Sequence, residues 1–133
     1  MDNPSETIRL SFPVNAAYVS SARLTASSIA NRMGFDIDEI EDIKTAVSEA
    51  CTYIIKTLNA THKSNFEISF SLKEDQMKIH MVTLGTTVLQ PPADEMSLMM
   101  IKALVDEFDL SNNQQEESIA IVMVKKHKAS LFD

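Results

Sequence analysis

Two helical hydrophobic patterns that meet at a single glycine restrict the fold most. From Val14 to Met33, apolar residues recur every three or four positions without an interrupting proline or glycine, which indicates the buried face of a helix. Gly34 follows at a place where many helices end. Asp36 and Glu39 then have the spacing of a capping box, which predicts the start of a second helix. Two consecutive amphipathic helices need another layer against which to bury their apolar stripes.

The remaining hydrophobic patterns predict four strands and a third helix. Alternating apolar and polar residues indicate half-buried strands, and a short polar turn at residues 74–76 indicates that two of them form an antiparallel hairpin. A nearly continuous apolar run late in the chain indicates a strand near the sheet centre or one covered on both faces. The predicted elements are strands at 7–12, 66–73, 77–82 and 118–125, and a helix at 94–107 that a turn at 111–117 follows.

This order, β-α-α-β-β-α-β, predicts one domain over residues 1–133. Helices lie between strands, but the hairpin excludes a purely parallel sheet. We therefore predict an α/β domain, a two-layer α+β sandwich in which a mixed, mostly antiparallel sheet carries its helices on one face.

Composition excludes several kinds of site. The chain has two glycines in 133 residues, far fewer than an average usage of about 7% gives, so it cannot form the glycine-rich loops that cradle nucleotide phosphates. Its three histidines do not lie at metal-ligand spacing, and we predict no metal site. The single cysteine, Cys51, allows no intrachain disulfide and is predicted to be a buried structural residue.

Charge and hydropathy restrict the partners and the location. The formal charge of −7 repels a phosphate backbone, so we predict no direct nucleic-acid binding. The basic cluster at residues 125–128 is interpreted as a solvated strand end. There is neither a signal peptide nor an apolar run of the roughly 18 residues that a membrane span needs. We therefore expect a cytoplasmic protein without membrane contact.

One polar face of the second helix is a candidate for chemistry. Its members lie three or four residues apart and are Asp42, Thr45, Glu49, Tyr53 and Lys56. Either this face is solvated, or it places Glu49 in a cleft beside the sheet, where the carboxylate acts as a general base. Spacing alone leaves both interpretations open.

Two stretches of the sequence resemble one bacterial protein family. Residues 18–25, with the pattern Tyr-Val-x-x-x-Arg-Leu-Thr, and residues 40–52, Ile-Glu-Asp-Ile-Lys-Thr-Ala-Val-Ser-Glu-Ala-Cys-Thr, are similar to the first two helices of the anti-sigma factors that are serine kinases. Residues 98–107 resemble the last helix of that family. These proteins control general-stress and sporulation sigma factors and belong to the GHKL ATPase superfamily. The resemblance implies the GHKL, or histidine-kinase-like ATPase, fold.

The resemblance also implies roles for individual residues. The catalytic glutamate of the family, which activates the attacking hydroxyl, corresponds to Glu49, and the Mg²⁺-binding asparagine four residues later corresponds to Tyr53. The adenine-binding Asp-x-Gly motif corresponds to Thr83 and Gly85. The Gly-x-Gly motif that opens the phosphate loop corresponds to Glu95-Met96-Ser97.

Four nucleotide-site residues of the family are therefore replaced, at three motifs. A phenol is a poor Mg²⁺ ligand, Thr83 lacks the carboxylate that accepts from adenine, and Glu95 brings negative charge towards phosphate. Phosphoryl transfer depends on a positioned metal ion and positioned phosphates. The resemblance thus implies a degenerate site in which Glu49 is vestigial and no cofactor is bound.

The function that these observations favour is an anti-sigma factor that sequesters a sigma factor by protein–protein contact. Arg23 matches an arginine on the partner-binding first helix of the family, and it is either a partner contact for a carboxylate or a solvated side chain. An antagonist protein is a further candidate partner, and the family pattern implies a homodimer. Apolar residues of the last helix are interpreted as a cover for the vacated nucleotide pocket; they are Met96, Leu98, Met99, Met100 and Ile101.

Two alternatives stay open. One is an active serine kinase that uses ATP and Mg²⁺ to phosphorylate an anti-sigma antagonist. The other is a regulator of a different partner, because a fold does not fix a function.

Overall fold

The computed structural model describes residues 6–58, 65–84, 95–113 and 118–128, which form a five-stranded sheet and three helices. The helices are α1 (Val19–Met33), α2 (Ile37–Leu58) and α3 (Glu95–Leu104). The strands are β1 (Glu6–Pro13), β2 (Asn65–Lys73), β3 (Gln76–Leu84), β4 (Glu107–Asn113) and β5 (Ser118–Lys126). The predicted α/β fold class is confirmed.

The sheet has the strand order β1-β2-β3-β5-β4, and all four described pairings are antiparallel. The expectation that the sheet contains parallel as well as antiparallel pairs is therefore wrong for the described strands. Two helices connect β1 to β2 and bring the chain back in the opposite direction. A single helix connects β3 to β4, so these two strands do run in the same direction, but β5 lies between them.

Strand β4 is the element that the sequence patterns miss. The helix expected to reach Glu107 ends at Leu104, and the turn expected from Ser111 is part of β4. Among residues 107–111 of this strand, whose side chains the structure describes, Phe108 and Leu110 pack against the core. Because β4 is an edge strand bonded to β5 alone, two apolar side chains suffice to hold it, and they are too few for a clear alternation.

The junction between α1 and α2 has the predicted local chemistry. Gly34 follows α1 with φ of 90°, in the left-handed region that glycine adopts without strain. The backbone N–H of Glu39 donates to Asp36 Oδ1 at 2.8 Å, and the backbone N–H of Asp36 donates to Glu39 Oε1 at 2.9 Å. The glycine helix end and the capping box are both confirmed.

Alternate strand residues divide between a buried face and an open face. On β3, Met77, Ile79 and Met81 are at most 1% exposed and belong to one core with the helices. The intervening side chains lie on the opposite side of the sheet, which we call the outer face; on β3 they include exposed Lys78 and half-buried His80. The helices thus lie on one face, as predicted.

The end of β5 packs on the helices instead of ending in solvent. Lys125 is 5% exposed, and its Nζ lies 2.9 Å from Asp42 Oδ2 and 2.7 Å from the carbonyl oxygen of Leu104. A buried lysine needs such partners because an unpaired charge is costly to remove from water. The interpretation of residues 125–128 as a solvated strand end is therefore wrong for Lys125, which joins β5 to α2 and α3.

No helix within the described ranges is both long enough and apolar enough to cross a membrane.

Candidate functional site

The polar face of α2 is largely occupied by contacts within the protein. Asp42 pairs with Lys125, Tyr53 is 1% exposed, and half-buried Glu49 accepts a 3.0 Å hydrogen bond from Ser97 Oγ. Glu49 and Tyr53 are four residues apart and therefore lie on the same side of the helix. The interpretation of this face as simply solvated does not hold.

Tyr53 is buried at the position that the resemblance assigns to a Mg²⁺-binding asparagine. Its hydroxyl and that of Thr57, one turn later, have no hydrogen-bond partner among the described residues. Mg²⁺ binds carboxylate, carbonyl and water oxygens in near-octahedral geometry and keeps several waters. A bulky phenol ring that is 1% exposed does not fit that requirement.

Thr83 uses its side chain to hold two strands together. Its Oγ1 accepts a hydrogen bond of 3.0 Å from the backbone N–H of Ile119, and Thr83 is 6% exposed. At this position the resemblance assigns a carboxylate that accepts from an adenine amino group. A hydroxyl oxygen that already accepts from β5 does not replace that carboxylate. Gly85, the other residue of this motif, lies outside the described residues.

The first turn of α3 contains the positions assigned to the phosphate loop. Glu95 begins the helix, Met96 is 71% exposed, and Ser97 is 3% exposed and bonded to Glu49. Met99 and Met100 are also exposed. The interpretation of the apolar α3 residues as a cover for the nucleotide pocket is therefore wrong for these methionines.

Ile101 is the fully buried residue of this apolar group, and Leu98 is half-buried against the core. The buried side of α3 is therefore narrow.

Arg23 lies on α1, where its side chain is exposed. Leu24 beside it is 61% exposed, whereas Ala22 and Ala26 are buried in the core. The structure thus joins Glu49 directly to Ser97, whereas it leaves Arg23 on an open helix surface.

A second polar cluster lies at the start of α2, and the sequence identifies only its capping role. Glu39 is 3% exposed; its Oε1 lies 2.6 Å from His127 Nδ1, and its Oε2 accepts from the backbone N–H of Lys128 at 2.7 Å. Burial raises the pKa of Glu39, but the hydrogen bonds from the backbone N–H groups of Lys128 and Asp36 and the contact with His127 outweigh burial, so the pKa lies below its ordinary value. No local pattern links Glu39 to a histidine 88 positions later.

Cys51 is fully buried on α2, and burial raises the pKa of its thiol to about 12. A thiol with such a pKa is not a nucleophile near neutral pH. The part of the chain that the structure describes also contains no group of three or more His, Cys, Asp or Glu side chains arranged to hold a metal ion.

Comparison with known proteins agrees with the fold and the sequence motifs. Residues 12–125 match the family described as the histidine kinase-like ATPase domain. The serine-protein kinase RsbW of Bacillus cereus (strain Q1) is 31% identical, and the match covers 90% of this chain and 84% of that protein. RsbW of Bacillus mycoides (strain KBAB4) is 30% identical over the same shares of the two chains.

A solved structure shares the fold at lower identity. The crystal structure of the RsbU and RsbW domains of a Mycobacterium tuberculosis protein matches with a TM-score of 0.73 and 17% identity, over 92% of this chain and 33% of that chain. The chain spans about one third of that structure, and the likeness shows the fold alone. The family match over residues 12–125 and the 31% identity with RsbW show that this chain belongs to the histidine kinase-like ATPase family and, within it, to the group that includes the RsbW serine-protein kinases.

Proposed function

We propose that this protein is a cytoplasmic regulator of the anti-sigma type, which holds a sigma factor by protein–protein contact and does not act as a kinase. Family membership supports the regulatory class. A fold does not fix an activity, so the side chains at the nucleotide positions decide between a binding protein and an enzyme.

The burial of Tyr53 carries the proposal. A ring that is 1% exposed stands where the resemblance requires a compact Mg²⁺ ligand. Thr83 adds support, because its hydroxyl accepts from the backbone N–H of Ile119. The residues present do not fit Mg-ATP at these two positions.

Thermal unfolding with and without Mg-ATP tests the proposal. A ligand that binds only the native state raises the free energy of unfolding by about 2.7 kcal/mol at a concentration 100 times its Kd. We expect no shift in Tm for the wild type in millimolar Mg-ATP. The matched control is the variant Tyr53→Asn/Thr83→Asp/Glu95→Gly/Ser97→Gly, which restores the four family residues and should gain a Tm shift of several degrees. A clear rise in the wild type would refute the proposal.

The second candidate is an active serine kinase, because Glu49 retains a half-buried carboxylate suited to a general base. This candidate requires a Mg-ATP shift in the wild type and transfer of the γ-phosphate to an antagonist protein. Incubation with labelled ATP and antagonist, with Glu49→Gln as the control, distinguishes the kinase from the regulator.

We place the sigma-factor contact on α1. Exposed Arg23 lies beside Leu24, which is 61% exposed. Arginine is enriched at interface hot spots, and its guanidinium suits a carboxylate on the partner.

Binding measurements with candidate sigma factors test this surface. Arg23→Ala should weaken binding by about tenfold or more, because a charge-assisted hydrogen bond contributes about 1.5–3 kcal/mol. Arg32→Ala, at an exposed position of the same helix, is the matched control and should leave the affinity nearly unchanged. Capture of no sigma factor by the wild type, or equal binding by Arg23→Ala, contradicts the role of this surface.

We also propose that two copies associate through the outer face of the sheet. One row across this face contains Arg9 on β1, Ser69, His80, Val122, and Asp109 on β4. Arg9 and Asp109 are exposed at opposite edges, and Val122 is half-buried. A two-fold axis parallel to the strands reverses the strand order, so it places Arg9 of one copy over Asp109 of the other. In this row, the charges at the two edges of the sheet are complementary.

Analytical ultracentrifugation at micromolar concentration tests the dimer. The charge reversal Arg9→Asp should weaken association, and the double variant Arg9→Asp/Asp109→Arg should restore it, because the exchanged charges again face each other. A monomeric wild type, or a dimer that Arg9→Asp leaves intact, contradicts this arrangement.

A further inference from the structure

A serine of α3 reaches the glutamate that the resemblance assigns to catalysis. Ser97 lies in the first turn of α3 and is 3% exposed, and its Oγ donates a 3.0 Å hydrogen bond to Glu49 Oε1 on α2. The two residues are 48 positions apart. The bond therefore connects two helices across their interface.

The geometry is the one that a general base makes with a hydroxyl. Such a base must approach the group that it deprotonates to about 2.6–3.2 Å, and Ser97 lies within this distance of Glu49. A hydroxyl of the same chain thus occupies the place beside the carboxylate. The resemblance assigns a glycine to position 97, and a glycine has no side chain that reaches Glu49.

The first turns of α3 have few other buried side chains. Met96 and Met99 are 71% and 68% exposed, and Leu98 is only half-buried. Ile101, one turn after Ser97 and on the same side of the helix, is fully buried. Ser97 and Ile101 therefore hold α3 on the protein at two successive turns, the first by a hydrogen bond and the second by apolar packing.

We propose that Ser97 is a built-in latch, which holds α3 against α2 through its hydrogen bond to Glu49. The latch keeps α3 docked whether or not ATP is present, so the regulator does not depend on nucleotide for this conformation. The inference rests on the proposed function, in which the site does not bind Mg-ATP. Ser97 acts here as a positioning residue through its bond to Glu49.

Hydrogen exchange of backbone amides measures the latch in the full chain. Ser97→Ala should accelerate exchange in the first turns of α3 by about tenfold, because hydrogen bonds to charged groups contribute about that factor. Glu49→Ala should have a similar effect, and the double variant should exchange no faster than either single variant. Ser97→Thr keeps the hydroxyl and should restore slow exchange. Ser28→Ala, at an exposed serine of α1, is the matched control and should leave α3 unchanged.

Unchanged exchange rates of the α3 amides in Ser97→Ala overturn the latch. Additive effects of Ser97→Ala and Glu49→Ala on these rates also overturn it, as does exchange in Ser97→Thr that is as fast as in Ser97→Ala. Addition of Mg-ATP to the wild type keeps the two proposals separate. If Mg-ATP slows exchange of α3 in the wild type, the proposed function fails, whatever Ser97→Ala does. If Mg-ATP has no effect while Ser97→Ala also has none, only the latch fails.

Discussion

Removal of the Tyr53 hydroxyl should stabilise the protein. This hydroxyl is buried on a side chain that is 1% exposed, and it has no hydrogen-bond partner in the described part of the chain. An unpaired buried polar group costs about 1–3 kcal/mol, whereas the ring provides the packing. Tyr53→Phe keeps the ring and deletes only the hydroxyl. We expect the free energy of unfolding to rise by about 1 kcal/mol, at the lower end of the range because the deleted oxygen leaves a small void.

Urea unfolding followed by circular dichroism measures this change in free energy. In thermal unfolding, about 1 kcal/mol corresponds to a rise in Tm of roughly 3–5 °C for a chain of this size. The matched control is Tyr18→Phe, because Tyr18 is 40% exposed; we expect its free energy of unfolding to change by less than about 0.5 kcal/mol. A decrease of about 1 kcal/mol or more for Tyr53→Phe means that the hydroxyl has a partner in the native protein. That result would refute the view that Tyr53 only fills the position of a metal ligand.

Three other residues give separate tests. The native state lowers the pKa of Glu39, so its carboxylate stabilises the protein above the unfolded pKa of about 4.3. This stabilisation is lost as pH falls through the lower folded pKa. In urea unfolding at a series of pH values, Glu39→Gln should therefore remove this loss of stability in acid. Gly34→Ala should lower the free energy of unfolding by about 1 kcal/mol, measured by calorimetry, since φ is 90° and nothing lies within 4 Å of an added Cβ; an unchanged Tm contradicts the left-handed helix end. Cys51 should react with thiol reagents at pH 8 only as fast as the protein unfolds, because its side chain is fully buried; rapid labelling of the native protein contradicts that burial.

Features that depend on neighbouring residues could be predicted from the sequence. Gly34 and the Asp36–Glu39 pair act within one turn of the chain, and the structure has both as expected. The β2–β3 hairpin also follows from local alternation and a short turn. Such signals combine into the correct fold class because most of the elements have one apolar and one polar face.

Features that depend on distant residues could not be predicted in the same way. From the sequence alone, Lys125 has the pattern of a solvated strand end, because Asp42, with which it pairs, lies on α2, far away in the chain. In the same way, nothing near Ser97 in the sequence indicates its hydrogen bond to Glu49. Strand β4 pairs with β5, and its apolar residues Phe108 and Leu110 pack against the core. The resemblance identifies the motif positions Glu49, Tyr53, Thr83 and Ser97. The hydrogen bonds from Ser97 to Glu49 and from Ile119 to Thr83 follow only from the fold.

The place of β5 in the sheet has a consequence for synthesis of the protein. This strand is the last described element along the chain, yet it lies between β3 and β4. Until residues 118–126 have left the ribosome, β4 has no neighbour in the sheet and one edge of β3 is open. Unpaired strand edges are the surfaces through which nascent chains aggregate. A ribosome that pauses before β5 therefore leaves β3 with an open edge and β4 without a neighbour, whereas completion of this one strand covers one edge of each.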